Sequence, residues 1–236
     1  MSSPSVWTRV KWAARRPGFP FVTWVIISVC VLVFIAQFLT GGFSSSGEVT
    51  AALWYVPLYT ATQPWRMLSA VFIHGGVLHI LFNMYSLYVM GQVLEPMLGR
   101  ARFTALFLLG GLGGSVAVAV IGTINGAVLG ASGAIFAMMG AFLAILRKQG
   151  INNPQFLAVV VLNLAWGFFF SGIAWQAHVG GLIVGLALGA IYATYRQRWQ
   201  RGALWASVAA LAVGLIVITV AAWYLRISPW ITTYYG

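Results

Sequence analysis

Gly130-Ala131-Ser132-Gly133-Ala134-Ile135-Phe136-Ala137-Met138-Met139-Gly140-Ala141-Phe142-Leu143-Ala144-Ile145-Leu146-Arg147-Lys148 is an apolar helical run that is short for a membrane span. From Ser132 to Leu146 it gives roughly 22 Å of helix at about 1.5 Å per residue, against a hydrocarbon core of about 30 Å. The basic pair Arg147-Lys148 fixes one end at a membrane surface. The other end, carrying Ser132, therefore starts well below the opposite surface. Irregular backbone at that depth is tolerated only where it is buried in protein or lines a water-filled cavity. The stretch thus predicts a wet cavity, open to one side of the membrane, with a serine hydroxyl at its floor.

The rest of the chain supplies the membrane. Its 236 residues are 61% hydrophobic and 6% charged, which excludes an ordinary soluble domain. Apolar runs at about 21–39, 74–94, 103–122, 132–146, 156–173, 175–195 and 203–225 predict an all-α polytopic protein of seven helices. Arg9, Lys11, Arg15 and Arg16 precede the first run; Arg100 and Arg102, Arg147 and Lys148, and Arg196, Arg198 and Arg201 follow the second, fourth and sixth. All fall on one side, and only Arg66 and Arg226 fall on the other. This positive-inside pattern predicts a cytoplasmic N-terminus and an external C-terminus. It also assigns the net charge of +11 to topology rather than to nucleic acid. Trp54, Tyr55, Trp65, Trp199, Trp230 and Tyr234 lie near run ends, as interfacial aromatics do.

Residues 1–20 read as a basic cytoplasmic tail, 41–66 as an interfacial first loop, and 196–236 as the seventh helix with an external C-terminus. Thr40-Gly41-Gly42-Phe43 offers no small-residue cleavage site, so the first helix reads as uncleaved. Cys30 lies inside that helix as a small apolar residue. Glu95-Pro96 reads as the stop of the second run and Asn152-Asn153-Pro154 as a turn. Residues 123–131 are too apolar for a water-exposed loop.

The chain holds two carboxylates, Glu48 and Glu95, no aspartate, and three histidines. Chemistry on paired carboxylates is therefore excluded, and serine with histidine remains. Ser132 opens the fourth run and His178 stands near the start of the sixth, which runs in the same direction, so both lie at similar depth. Ala177, Gly181, Gly185 and Gly189 form a small-residue stripe, as do Gly133, Ala137, Ala141 and Ala144. Such stripes let helix backbones approach closely in membranes. A serine and a histidine on them can reach hydrogen-bond distance, as base activation requires. His79 and Asn83, four residues apart, share one helix face and offer N–H donors for a developing oxyanion. The backbone N–H of Ser132 adds another. Taken singly, each feature has an ordinary reading as helix packing or interhelical hydrogen bonding; their coincidence at one depth carries the argument. A zinc site does not fit: His74 and His79 are five apart and no carboxylate is near to complete a ligand set.

The ordered set Trp65-Arg66, His74, His79-x-x-x-Asn83, Glu95-x-x-x-Gly99-x-x-x-Phe103, Gly130-Ala131-Ser132-Gly133 and Ala177-His178-x-x-Gly181-x-x-x-Gly185 resembles the rhomboid intramembrane serine proteases. The resemblance spans about 21–195 and implies a six-helix bundle, with 203–225 as the extra C-terminal helix some members carry. It implies a Ser132–His178 dyad without an acid, an oxyanion site from His79, Asn83 and the Ser132 amide, and support from Gly130, Gly133, Phe136 and His74. Trp65-Arg66 would shape the first loop, and Glu95 would tie the second helix to the start of the third. Gly181 and Gly185 would serve packing. Phe136 stands where some members have tyrosine, so ring stacking survives and a hydroxyl role does not. Trp166 and Phe168-Phe169-Phe170 on the fifth helix would form a lateral gate. No metal or cofactor is implied; the partners would be the bilayer and single-span membrane-protein substrates. A non-catalytic client-binding relative would lack the serine or the histidine, and both are present. A transporter or channel would need polar residues through the full depth and an intramembrane acid relay. The small core and short basic tail fit a bacterial plasma membrane.

Overall fold

The structure, a computed structural model, describes residues 18–235 except Ser45 and residues 170–171. Most of the basic tail, with Arg9, Lys11, Arg15 and Arg16, and Phe170 of the gate segment lie outside the described residues. In chain order the α-helices are α1 (Phe21–Leu39), short α2 (Glu48–Leu53) and α3 (Arg66–Ser69), then α4 (Val77–Leu98), α5 (Arg100–Ile121), α6 (Ser132–Lys148), α7 (Pro154–Phe169), α8 (Trp175–Thr194), α9 (Arg201–Ala222) and α10 (Ser228–Tyr235). Each apolar run read from the sequence overlaps a helix. Among the described residues, five segments have the length and apolarity to cross a membrane: α1, α4, α5, α8 and the continuous stretch from Arg198 to Tyr234. The protein is thus all-helical, with several candidate membrane spans. α6 and α7, at 17 and 16 residues, are the short ones.

Backbone contact, rather than large side chains, holds the centre together. A Cβ at Gly181 would run into the Gly133 carbonyl, one at Gly185 into Ala137, and one at Gly189 into Ala141. On α5, Gly110 lies against Ala137, Gly113 against Val184, and Gly114 against Ala177. Three helices therefore meet where side chains are absent, maximising dispersion contact where lipid supplies no hydrophobic drive between helices. The α5 glycines Gly110-Gly111 and Gly113-Gly114 complete a three-helix contact that the stripes on α6 and α8 only half foretell.

α1 joins this core through Glu95. Its carboxylate accepts hydrogen bonds at 2.8 Å from the Val22 and Thr23 amides and from the Thr23 hydroxyl. This corrects the expected tie to the third helix. The first-turn amides of α1 have no intrahelical acceptor and favour a negative charge beside them. The start of α5 is made instead at Gly99, with φ +79° and its carbonyl accepting from the Phe103 amide. Nor does Glu95-Pro96 stop the second helix: α4 carries Pro96 in its last turn and runs to Leu98, capped by Gly99. Glu95→Gln keeps the shape but loses charge-assisted hydrogen bonds worth about 1.5–3 kcal/mol each. The expected outcome is a lower melting temperature in detergent with the helical content retained.

The end of the bundle that carries Ser132 is covered by the first loop. Arg66 is buried and donates to Gln63 Oε1 at 2.5 Å and to the carbonyls of Ala51 (2.5 Å) and Trp54 (3.1 Å), with its guanidinium over the Tyr59 ring. Trp65 beside it is exposed. Tyr55 and Val128 exchange backbone hydrogen bonds at 3.0 and 2.8 Å, and Leu58 donates to the Ile124 carbonyl. The apolar segment 123–131 is thus pinned to the first loop. Burial pushes the Tyr55 phenol up to about 12, so it stays neutral and bonded to Thr60.

The last helix differs from its expected ending at residue 225. It passes through a π-helical turn, Trp223–Ile227, into α10. Arg226, expected in an external tail, donates to the carbonyls of Ala119 (2.7 Å) and Gly122 at the C-terminal end of α5. Those carbonyls lack intrahelical donors, and a cation there also suits the helix dipole.

Candidate active site

The turn before α6 is shaped by Gly130. Its φ of +116° lies in the region that favours glycine, and a Cβ there would stand 2.7 Å from His79 Nε2. Its amide donates to the Ala70 carbonyl at 2.8 Å, anchoring the turn to the segment before α4. Ser132 then becomes the first residue of α6. Its backbone N–H is among the first-turn amides that an α-helix leaves without an acceptor.

His178 lies almost one turn into α8, buried, with Nε2 3.0 Å from Ser132 Oγ. The close approach of Gly181 to Gly133 brings the two helices near enough for this contact. Phe136, one turn after the serine, stacks on the imidazole with centroids 4.4 Å apart and planes 20° from parallel. Gly167 of α7 leaves room on the other side: a Cβ there would stand 3.2 Å from His178 Nδ1. That nitrogen has no hydrogen-bond partner among the described residues. The imidazole is therefore oriented by packing.

His79 accepts a hydrogen bond at Nδ1 from the Gly75 amide at 3.2 Å, which places the proton of the neutral ring on Nε2. Nε2 is the atom beside Gly130, so the ring offers a donor close to the Ser132 turn. Asn83, expected to offer N–H donors to an oxyanion, commits one of them within the protein. Its Nδ2 donates at 2.8 Å to the His79 carbonyl, leaving one N–H for a ligand, while its Oδ1 is buried without a partner among the described residues. His74 does not line the cavity. It is fully buried edge-on to His79 with ring centroids 5.2 Å apart, and so supports His79.

These groups surround a cavity of about 600 Å³ containing Ser132, His178, His79 and Asn83, with Ser86, Ser115 and Asn163 on its walls. The last three were not singled out in the sequence, since isolated serines and asparagines in apolar helices carry no periodic signal. Ser115 also donates to the Met67 carbonyl at 2.7 Å, tying α5 to α3. Gln37 was likewise missed. Its amide pairs with the backbone of His74, accepting its N–H at 3.0 Å and donating to its carbonyl at 3.2 Å, and so fixes the segment before α4 to α1. Chemically, the site offers a hydroxyl with a base in contact and donors nearby. It suits acyl transfer.

The Rhomboid domain matches residues 61–195, which contain Ser132, His178, His79 and Asn83. The chain is 32% identical over 182 residues to rhomboid protease GluP of Bacillus subtilis (strain 168), covering 73% of this chain and 35% of that protein. It is 32% identical over 161 residues to RHOMBOID-like protein 6, mitochondrial, of Arabidopsis thaliana, covering 64% of this chain and 51% of that one. RHOMBOID-like protein 5 of the same plant is 36% identical over 135 residues, or 54% of this chain and 43% of its own length. The aligned region thus spans between about a third and a half of these relatives. The match extends over more than half of the chain, and the protein belongs to the rhomboid family.

Proposed function

We propose that the protein is an intramembrane serine endopeptidase that hydrolyses peptide bonds in or near the transmembrane segments of single-span membrane proteins. The observation that carries this reading is the 3.0 Å contact of His178 Nε2 with Ser132 Oγ at a cavity wall. In this reading all seven long helices cross a bacterial plasma membrane, α9 being the extra C-terminal one, with the N-terminus cytoplasmic and the cavity opening outward. α7, with Trp166, Phe168 and Phe169 exposed, is the side by which a substrate helix enters.

Ser132 Oγ attacks the scissile carbonyl carbon while its proton passes to His178 Nε2. The carbonyl oxygen becomes an oxyanion held by the Ser132 amide and His79 Nε2–H, with the second Asn83 N–H in reserve. Collapse expels the amine, which takes the proton from His178. Water then attacks the acyl-enzyme, with His178 again accepting a proton, and collapse releases the acid product as His178 returns that proton to Ser132 Oγ.

A serine-reactive fluorophosphonate and a fluorogenic single-span substrate, both applied to the purified chain in detergent, test the reading. Labelling at Ser132 and cleavage that EDTA leaves intact are expected. Absence of both across a panel of substrates would move the chain to the client-binding class. His79→Ala should lower kcat by about 10²–10³-fold, the usual loss for one oxyanion donor, with KM little changed. A rise in KM at unaltered kcat would assign His79 to substrate binding instead.

A further inference from the structure

At the end of the molecule away from Ser132 lies a second cavity, of about 530 Å³, formed by the α4–α5 turn and the α8–α9 connection. Arg100, Arg102, Arg196, Arg198 and Arg201 line it, with Leu98 and Trp205 as apolar wall. The chain's two carboxylates are elsewhere. Glu95 has both oxygens bonded to the start of α1, and Glu48 sits in the first loop. Five guanidinium groups therefore share one concavity with no carboxylate among its described lining residues, and their like charges repel one another.

The walls are built. Arg100 lies 5.0 Å over the Phe21 ring and Arg102 5.9 Å over the Tyr192 ring. Tyr192 in turn donates its hydroxyl to the Arg102 carbonyl at 3.0 Å. The turn carrying Arg198 is closed by a reciprocal cap in which the Gln197 amide donates to Gln200 Oε1. Planar guanidinium groups match phosphate oxygens in pairs, which a point charge does not.

We propose that this cavity binds a phosphate ester, supplied by the headgroup of an anionic phospholipid. The source follows from position. The cavity stands where α5 and α8 meet the start of α9, at the ends of candidate membrane spans, and Trp199 beside it is 81% exposed, as an interfacial anchor is. Basic pockets between helices on this side of a membrane take anionic headgroups. Because Arg196, Arg198 and Arg201 lie beyond the matched domain at 61–195, the lipid would bridge that domain to the last helix.

Native mass spectrometry of the full delipidated chain, titrated with short-chain phosphatidylglycerol, tests this alongside thermal melting. Phosphatidylglycerol should bind and raise the melting temperature, and phosphatidylcholine should do neither. Removing about 1 arginine should weaken binding about fivefold, so Arg196→Gln, Arg198→Gln and Arg201→Gln together should weaken it roughly hundredfold. Arg147→Gln with Lys148→Gln, a basic pair outside the cavity, should leave binding unchanged. Replacing the three arginines by lysine keeps the charge, guards against a variant that fails to fold, and should still weaken binding. Equal stabilisation by inorganic phosphate would uphold the phosphate site while assigning it to a soluble ligand. Unchanged phosphatidylglycerol affinity in the triple glutamine variant, or equal affinity for phosphatidylcholine, would overturn it. None of these readouts depends on proteolysis.

Discussion

Ser132→Ala should reduce turnover of a single-span substrate by on the order of 10⁴-fold or more, the scale on which serine hydrolases lose activity with their nucleophile. The reason is local. Among the described residues Ser132 Oγ is the one hydroxyl hydrogen-bonded to His178 Nε2, and the cavity's other described hydroxyls stand on other helices, with Ser115 bonded to the Met67 carbonyl. Alanine at an N-terminal helix position costs little, so the variant should melt close to the wild type. His178→Ala should fall by a similar factor, and the double variant by little more, because the pair acts as one unit. Single losses that multiply in the double variant would mean the two residues act independently, and the dyad assignment would be wrong.

Gly181→Ala should have the largest effect of any single methyl group. The added carbon would be driven into the Gly133 carbonyl and its backbone, which cannot rotate away as a side chain could. Overpacking of this kind costs about 1–3 kcal/mol, occasionally more. Here it also pushes α8 from α6 at the level where they carry His178 and Ser132. A displacement of about 1 Å at a reacting pair can cost about 10²-fold in rate. Gly189→Ala makes the matching clash with Ala141, two turns further along. Both variants should melt lower, but kcat should fall much further at Gly181. Equal losses of kcat would show that stability alone links the stripe to activity.

The contrast between those glycines also marks what the sequence reveals. A repeat of small residues every four positions on α6 and α8 is a periodic signal, and it predicts the face, the partner and the depth at which Ser132 meets His178. The short fourth run predicts the cavity in the same way. Contacts that depend on one polar side chain meeting a distant backbone carry no period. Glu95 finds the amides of residues 22 and 23, Gln37 the backbone of His74, and Arg226 the end of α5. Any exposed helix terminus could have accepted these groups, so the choice is made only when helices are placed. Asn83 shows the same limit at the site: its spacing from His79 is legible, whereas its bond to the His79 carbonyl is not. The end of the last helix was misjudged because Arg226 reads as a surface charge until a carbonyl cluster is found beneath it.

The clustering of histidine has a spectroscopic consequence. His79 and His178 line the cavity and His74 rests against His79, so all three imidazoles of the chain belong to one neighbourhood. Any histidine ring-proton resonance therefore reports on the surroundings of Ser132. An inhibitor bound at Ser132 should shift these resonances, whereas a ligand in the arginine-lined cavity at the other end of the molecule should leave them in place. Isotope labelling of one residue type thus separates the two cavities.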